Sequence, residues 1–152
     1  MWSTKTVLLL LAGLALSSTL AAAQTTAQTS SAPSLAQTLR QSHWQKRVLL
    51  IGAPTAIQAD FQRQKQLLAD AAAQLKERDF LVLEVPYDKL PAADRQYWQK
   101  ELNQSLTQFA VVLIGKDGGV KRTSVQPLPP ADLFNTVDKM PMRRQEMKRK
   151  AE

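Results

Sequence analysis

The sequence of 152 residues contains no cysteine and a single histidine, His43. Without a thiol, the chain cannot act as a cysteine-dependent peroxidase, exchange disulfides or bind a metal through cysteine, and its stability depends on packing alone. A Ser-His-Asp triad would have to use His43, which stands beside Trp44 and is more typical of a surface or core-edge position. The acidic residues lack the spacing of a calcium-binding loop. We therefore expect neither a metal site nor a cofactor.

Glycine is also scarce, with five residues in the chain, and two of them lie in the stretch Lys116-Asp117-Gly118-Gly119. Glycine-rich phosphate-binding loops are longer and are followed by a helix, so this stretch better fits a hairpin turn. It follows residues 109–114, an uninterrupted apolar run typical of a strand covered on both faces. The sequence therefore predicts a hairpin whose return strand begins near Val120, with the two glycines supplying positive φ angles.

Long apolar runs are confined to the start of the chain, where the run Val7 to Leu16 follows the positive charge of Lys5. This run is about half of the ~20 residues that span a membrane, and small residues follow it, as in a signal peptide. We expect residues 1–23 to be a signal peptide that is cleaved near Ala23-Gln24. The product would then be secreted or periplasmic. An uncleaved membrane anchor is the alternative.

The remainder of the chain predicts one domain at residues 44–141. Residues 24–43 are expected to form a flexible leader, because they begin with an uncharged stretch rich in Gln, Thr, Ser and Ala. A short helical turn at Leu35 to Gln41 is compatible with that leader. Residues 142–152 form a basic C-terminal segment, which is expected to be a short exposed helix or a tail. The chain carries a net charge of +7, and five basic residues lie in this segment.

The predicted domain begins with two apolar strands, residues 47–51 and 80–85. Between them, apolar side chains recur at helical spacing from Ile57 to Leu75. Thr55 and Gln58 resemble a capping box at the start of this helix. A strand, a helix and a second strand predict a right-handed parallel unit.

A shorter helix from Pro91 to about Leu102, the hairpin and a last helix at residues 131–140 complete the predicted order. The order is β-α-β-α-β-β-α, with parallel strands first and a C-terminal hairpin and helix. This is the α/β layout of a thioredoxin-like domain, a three-layer sandwich.

Four stretches of the sequence resemble a known family. They are Trp44-x-x-Arg47-Val48-Leu49-Leu50, Glu77-Arg78-Asp79, Leu113 to Lys121, and Met140 to Met147. The region around them resembles a bacterial family of unknown function that is regarded as a peroxiredoxin-like, thioredoxin-fold domain. Relatives of this family include domains of vertebrate extracellular proteins such as equarin and sushi-repeat proteins. The resemblance implies the fold and the export, and it supplies no reaction.

Two positions depart from thioredoxin chemistry. Thr55 lies where a redox member of the fold would carry a peroxidatic cysteine, and Ser105-Leu106-Thr107-Gln108 lacks the cis-proline that precedes the third strand in thioredoxins. A threonine hydroxyl forms no accessible anion near neutral pH, so Thr55 is expected to be a helix N-cap. Anion binding is the function that such a helix start retains without a thiol.

The candidate binding residues are therefore polar groups that adjoin predicted turns and helix ends: Thr55, Lys116, Asp117, Arg143 and Arg144. Methionine offers adaptable apolar contact in the segment Met140 to Met147, and its arginines can form paired hydrogen bonds to a carboxylate or phosphate. Alternatively, this segment packs back on the domain, with Arg143 or Arg144 paired to an acid of the same chain.

Three hypotheses follow for function. The first is an exported binding or interaction module without redox activity, whose partner is a protein or an anionic ligand and not a specific nucleic acid. The second is a non-thiol enzyme, which requires Thr55, Lys116, Asp117 and Arg143 to meet in one pocket. The third is a polyanion binder, or a peripheral binder of membrane surfaces, that uses the basic C-terminal segment.

Overall fold

A computed structural model of the chain describes residues 32–152. The predicted signal peptide, its cleavage site and the first part of the predicted leader therefore lie outside the described residues. Six α-helices and four strands are present in the described part. The helices are α1 (Leu35–Ser42), α2 (Ala59–Ala69), α3 (Ala72–Glu77), α4 (Ala92–Lys100), α5 (Pro130–Asp138) and α6 (Pro141–Ala151), and the strands are β1 (Arg47–Ala53), β2 (Phe80–Pro86), β3 (Ala110–Ile114) and β4 (Val120–Ser124). A short 3₁₀ turn, Tyr87–Lys89, follows β2.

The four strands form one sheet in the order β2-β1-β3-β4. Strands β1 and β2 are parallel, and Arg47 pairs with Phe80 at their first residues. Strand β3 runs antiparallel to β1, so that Ile114 at its end pairs with Val48. The starts of β1 and β2 and the end of β3 therefore lie at the same end of the sheet.

Helices cover both faces of this sheet. Leu49 and Ile51 belong to a core cluster with side chains of α2, α3 and α5, whereas Val48 and Leu50 pack with side chains of α1 and α4. Because β1 is covered on both sides, all seven of its residues are buried. This three-layer α/β arrangement confirms the predicted thioredoxin-like fold.

The helix after β1 starts later than predicted. Gln58 is the N-cap of α2 without a side-chain capping bond, so the predicted capping box of Thr55 and Gln58 is wrong. The carbonyl of Pro54 accepts a hydrogen bond from the Asp88 amide, and the chain makes a non-helical turn after it. The helix also breaks at Ala71, which forms a tight i to i−3 bond to Leu68 and separates α2 from α3.

Part of the predicted leader belongs to the folded domain. Ser34 and Gln37 form a complete capping box at the start of α1. Leu35 is buried, and its amide donates to the Asp94 carboxylate of α4 at 3.0 Å. The leader predicted at residues 24–43 is therefore corrected from Leu35 onward, because a capped helix with a buried leucine replaces a flexible chain.

The hairpin forms as predicted, with one difference. Gly118 has a φ of 79°, whereas Gly119 does not adopt a positive φ. Residues 141–151 are the helix α6, which begins at Pro141, where a proline needs no amide partner. No helix within residues 32–152 has both the length and the apolar character that crossing a membrane requires.

Candidate functional site

Charged side chains gather at the end of the sheet where β1 and β2 begin. Arg47 opens β1, Glu77-Arg78-Asp79 leads into β2, Lys116 follows β3, and α6 crosses this end of the sheet. We call the group the charged cluster. Its members are Arg47, Glu77, Arg78, Asp79, Lys116, Asp138, Arg143 and Glu146.

Arg47 lies at the centre of the charged cluster and is 1% exposed. Its two Nη groups donate to the two carboxylate oxygens of Glu146 at 3.2 and 3.1 Å, and Nη1 also donates to the Arg78 carbonyl at 2.9 Å. Its Nε is buried and has no hydrogen-bond partner among the described residues. The two Nη groups of this buried guanidinium are therefore paired with a carboxylate, whereas its Nε is an unused donor.

Lys116 connects α6 to the turn before β2. Its ammonium donates to Asp79 and to Glu146, at 2.8 Å in both cases. Burial opposes ionisation of Glu146, but the hydrogen bonds from Lys116 and Arg47 outweigh it and hold the pKa of Glu146 below its ordinary value. The same balance of burial against Lys116 lowers the pKa of Asp79. Both carboxylates are consequently charged at neutral pH.

Arg143 of α6 joins a second group of ion pairs and is also 1% exposed. It donates to Glu77 at 2.6 Å and to Asp138 at 3.2 Å. Arg78 donates to both oxygens of Asp138, at 3.0 and 2.8 Å, and these bonds lower the pKa of Asp138. The segment Met140 to Met147 therefore packs back on the domain, with Arg143 paired to acids of the same chain.

A cavity of about 210 Å³ adjoins the charged cluster, between the hairpin turn and the start of α6. We call it the Arg47 cavity. No side chain caps the first turn of α6, which begins at the cavity with Met140 and Pro141. Helix starts of this kind favour negative charge. The lining residues are Arg47, Gly115, Lys116, Asp117, Lys121, Met140, Pro141 and Met142.

The hairpin turn forms the outer wall of the Arg47 cavity. Asp117 accepts hydrogen bonds from Lys121 at 2.6 Å and from the Gly119 amide at 3.2 Å. The bond from Lys121 holds the pKa of Asp117 below its ordinary value. Asp117 thus neutralises Lys121 and shapes the turn, which leaves Arg47 and Lys116 as the buried cations of the cavity.

The structure brings together some of the predicted site residues and separates others. Lys116 and Asp117 line the Arg47 cavity, and Arg143 lies in the charged cluster beside it. Arg144 is exposed on α6. Thr55 follows the far end of β1, whose seven residues span about 20 Å. A pocket that unites Thr55 with Lys116, as the enzyme hypothesis requires, is therefore not formed.

His43 is exposed and stacks on Trp44, with ring centroids 4.5 Å apart. It lies against the hairpin turn, where a Cβ on Gly118 would come within 3.3 Å of its ring. Left-handed backbone occurs at Asp79, which directly precedes β2 and has a φ of 55°, and at Trp44, three residues before β1, with a φ of 64°. Across residues 32–152, no group of three or more side chains suited to metal binding is present.

The residues that hold the site together differ from those that the sequence predicts. Arg47 and Glu146 were not among the predicted site residues, although they form the central ion pair. A signal was present, because Arg47 is the one charged residue of a strand that is otherwise apolar. A charge at that position needs a partner when the strand is buried.

The fold is similar to solved peroxiredoxin structures. The reduced 2-Cys peroxiredoxin of Plasmodium vivax is 19% identical with a TM-score of 0.54, and the match covers 72% of this chain and 84% of that chain. Plasmodium yoelii thioredoxin peroxidase I is 17% identical with a TM-score of 0.54, covering 70% and 79%. At these identities the similarity shows the fold alone.

Sequence comparison gives a relative and a family. The human sushi repeat-containing protein SRPX is 29% identical over 125 residues, which cover 75% of this chain and 27% of that protein. The chain thus spans about a quarter of the length of this relative. A family profile described as "Domain of unknown function (DUF4174)" matches residues 38–146. These matches confirm the resemblance predicted from the four sequence stretches.

Proposed function

The chain belongs to the DUF4174 family of domains of unknown function, and we propose that it is an exported, non-redox binding module whose ligand occupies the Arg47 cavity. One observation carries the proposal: a guanidinium that is 1% exposed lines this cavity and has a buried Nε without a partner. Buried donors in folded proteins are nearly always satisfied, by protein, water or ligand. A bound anion would complement the positive charge that Arg47 and Lys116 bring to the cavity wall.

The lining favours a small carboxylate that carries an apolar group. Arg47 and Lys116 supply positive charge at one end, whereas Met140, Pro141 and Met142 supply an apolar wall. Glu146 and Asp79 already neutralise much of the cluster, so a singly charged ligand fits better than a phosphate with two charges. The volume of about 210 Å³ lies below the ~300 Å³ of sites for drug-sized ligands, which limits the ligand to a small molecule.

Absence of redox chemistry is supported by the residues at the other end of β1. The chain has no cysteine, and Thr55 lies in a turn before α2 rather than at a helix start. The 2-Cys chemistry named for the Plasmodium vivax protein therefore has no counterpart here. Export is supported by the signal-peptide pattern at residues 1–23, and N-terminal sequencing of the protein recovered outside the cytoplasm is expected to begin at Gln24.

The cavity is tested by titrating the exported protein with hexanoate and following amide resonances. We expect shifts at the hairpin turn and at the first turn of α6. Met142→Glu places a negative charge in the cavity and is expected to abolish these shifts, whereas Met147→Glu, farther along the same helix and outside the cavity lining, retains them. No shifts with the unmodified protein at ~10 mM hexanoate, or equal shifts with both variants, would contradict the proposed site.

A second candidate function has its own observation. The exposed surface of α6 carries Arg144, Lys148, Arg149 and Lys150, and none of them takes part in an ion pair within the described residues. Such a basic helix suits an anionic polymer or a membrane surface. Replacing the last three with glutamine is expected to remove binding to vesicles of anionic lipid, and binding of the unmodified chain should weaken steeply with salt. Binding that does not respond to salt would exclude this function.

A further inference from the structure

Strand β2 forms one edge of the sheet. This strand lies at the end of the strand order, and no segment within residues 32–152 pairs with its outer edge. Its residues Phe80 to Leu83 are all half-buried, although they are apolar. An edge of seven residues with one charge, Glu84, presents a row of main-chain donors and acceptors for another strand.

The other edge of the sheet is protected against such pairing. Strand β4 is shorter, with five residues, and carries Lys121 and Arg122. Its pairing with β3 is also irregular between Leu113 and Ile114. Short edges, basic side chains and irregular pairing are the usual means by which proteins block strand addition. Strand β2 has none of these three features, so its edge is open to strand addition whereas the edge of β4 is protected.

An open groove of about 450 Å³ runs between β2 and the helices α2 and α3. Phe80 and Val82 lie along it on the same face of β2, and Leu75 of α3 faces them. Three lysines line the groove: Lys46, Lys65 and Lys76. Lys46 pairs with Asp79 at 3.9 Å and Lys65 with Glu84 at 3.0 Å, whereas Lys76 makes no ion pair within the part of the chain that the structure describes.

We propose that β2 binds an extended acidic peptide segment of a partner protein, which adds a fifth strand to the sheet. Main-chain hydrogen bonds to the free edge would hold the segment, as in other cases of strand addition. Alternate side chains of an added strand point to the same face. Apolar side chains on that face cover Phe80 and Val82, and acidic side chains beside them reach the lysines of the groove.

The charge of the groove favours an acidic partner segment over a second copy of this chain or residues 24–34 of the same chain. Pairing of β2 with β2 of a second copy brings two lysine-lined grooves together, which is unfavourable between like charges. Residues 24–34 of this chain contain no acidic side chain, so they do not match the lysines either. A separate acidic segment is the occupant that complements the groove.

The proposal is tested with the exported chain and a synthetic octapeptide that carries threonine at every second position, with valine and glutamate alternating at the positions between, so that valine and glutamate share one face of the added strand. We expect amide resonances of residues 80–86 to shift and to gain protection from exchange, with no change in β4. The same octapeptide with lysine in place of glutamate is the control and is expected not to bind. Failure of the acidic octapeptide to bind, or equal binding of the basic octapeptide, would overturn the proposal.

Charge-reversal variants provide a second test. Lys65→Glu combined with Lys76→Glu is expected to weaken binding of the acidic octapeptide at least tenfold. Lys89→Glu combined with Lys100→Glu changes the net charge equally, at two exposed positions outside the groove, and is expected to weaken it less than twofold. Equal losses would show that net charge alone attracts the peptide and would overturn the assignment to β2.

The other occupants give distinct results. Protection of residues 80–86 without peptide that rises with protein concentration, together with dimers in sedimentation, would overturn the proposal in favour of a second copy. Protection without peptide that is independent of concentration would overturn it in favour of a segment of the same chain. Neither result bears on hexanoate binding, so failure here and failure of the Arg47 cavity are distinguishable.

Discussion

Removal of the Glu146 carboxylate is the perturbation that most directly probes how α6 is held on the domain. Glu146 binds both Arg47 and Lys116, and Lys116 retains Asp79 if Glu146 is replaced by alanine. Arg47, which is 1% exposed, then keeps only its hydrogen bond to the Arg78 carbonyl. Breaking a buried ion pair from one side typically costs about 3–5 kcal/mol. Because Glu146 is 15% exposed and Arg47 keeps one acceptor, we expect Glu146→Ala to cost about 3 kcal/mol.

The free energy of unfolding is measured by urea denaturation, followed by the fluorescence of the buried Trp98. With an m-value of about 1.5 kcal/mol/M, a loss of 3 kcal/mol lowers the urea midpoint by about 2 M. Arg144→Ala is the matched control, because Arg144 is exposed on the same helix. A change within about 0.5 kcal/mol is expected for that control.

A double-mutant cycle separates the ion pair from other effects of the substitution. Arg47→Leu and Glu146→Leu are each expected to destabilise the domain, because each leaves a charge without its main partner. The double variant is expected to cost at least ~2 kcal/mol less than the sum of the two, since no unpaired charge remains at this position. If Glu146→Ala behaves like Arg144→Ala, or if the cycle shows no coupling, the reasoning that this ion pair holds α6 is refuted.

Three further predictions concern pH, the hairpin and the core. The free energy of unfolding should fall as pH drops below about 4, because the pKa values of Glu146 and Asp138 are lowered in the folded state. The unfolded chain then binds more protons than the folded chain, which favours unfolding. Glu146→Gln should reduce this pH dependence, measured by urea denaturation between pH 7 and 3. Gly118→Ala should cost about 1 kcal/mol, because φ is 79° there, and a cost below ~0.3 kcal/mol would contradict the left-handed turn. Gly52→Ala should cost about 1–3 kcal/mol and lower the melting temperature, because the new Cβ lies within 2.7 Å of the Trp98 ring; an unchanged melting temperature would contradict this packing.

The fold was predictable because its signals are local. Uninterrupted apolar runs mark β1 and β3, helical periodicity marks the crossover, and a pair of glycines marks the hairpin. The sequence did not predict the start of α2, because the turn at Thr55 depends on a hydrogen bond between Pro54 and Asp88. It also underestimated α1, whose buried Leu35 packs with distant residues of α4. Local pattern does not contain such tertiary contacts.

The candidate site was predicted only in part, for a related reason. Lys116 and Asp117 adjoin a turn that the sequence identifies, and Arg143 lies in the segment of residues 140–147, which is rich in methionine and arginine. The partners of these residues could not be assigned, because Arg47 and Glu146 are 99 positions apart in the chain. The four acids and four cations of the charged cluster could form many different ion pairs. Which pairs form depends on the register of the sheet, which sets where Arg47 and residues 77–79 lie relative to each other.

The contrast between the two edges of the sheet has a consequence for assembly. Fibrous growth by strand addition requires two compatible edges on every unit, one to receive the last molecule and one to offer to the next. Here β2 is open, while the basic side chains and irregular pairing of β4 close the opposite edge. Such a domain can bind an added strand at the edge of β2 but has no second edge at which another strand can pair. It therefore ends a chain of paired strands rather than propagating it.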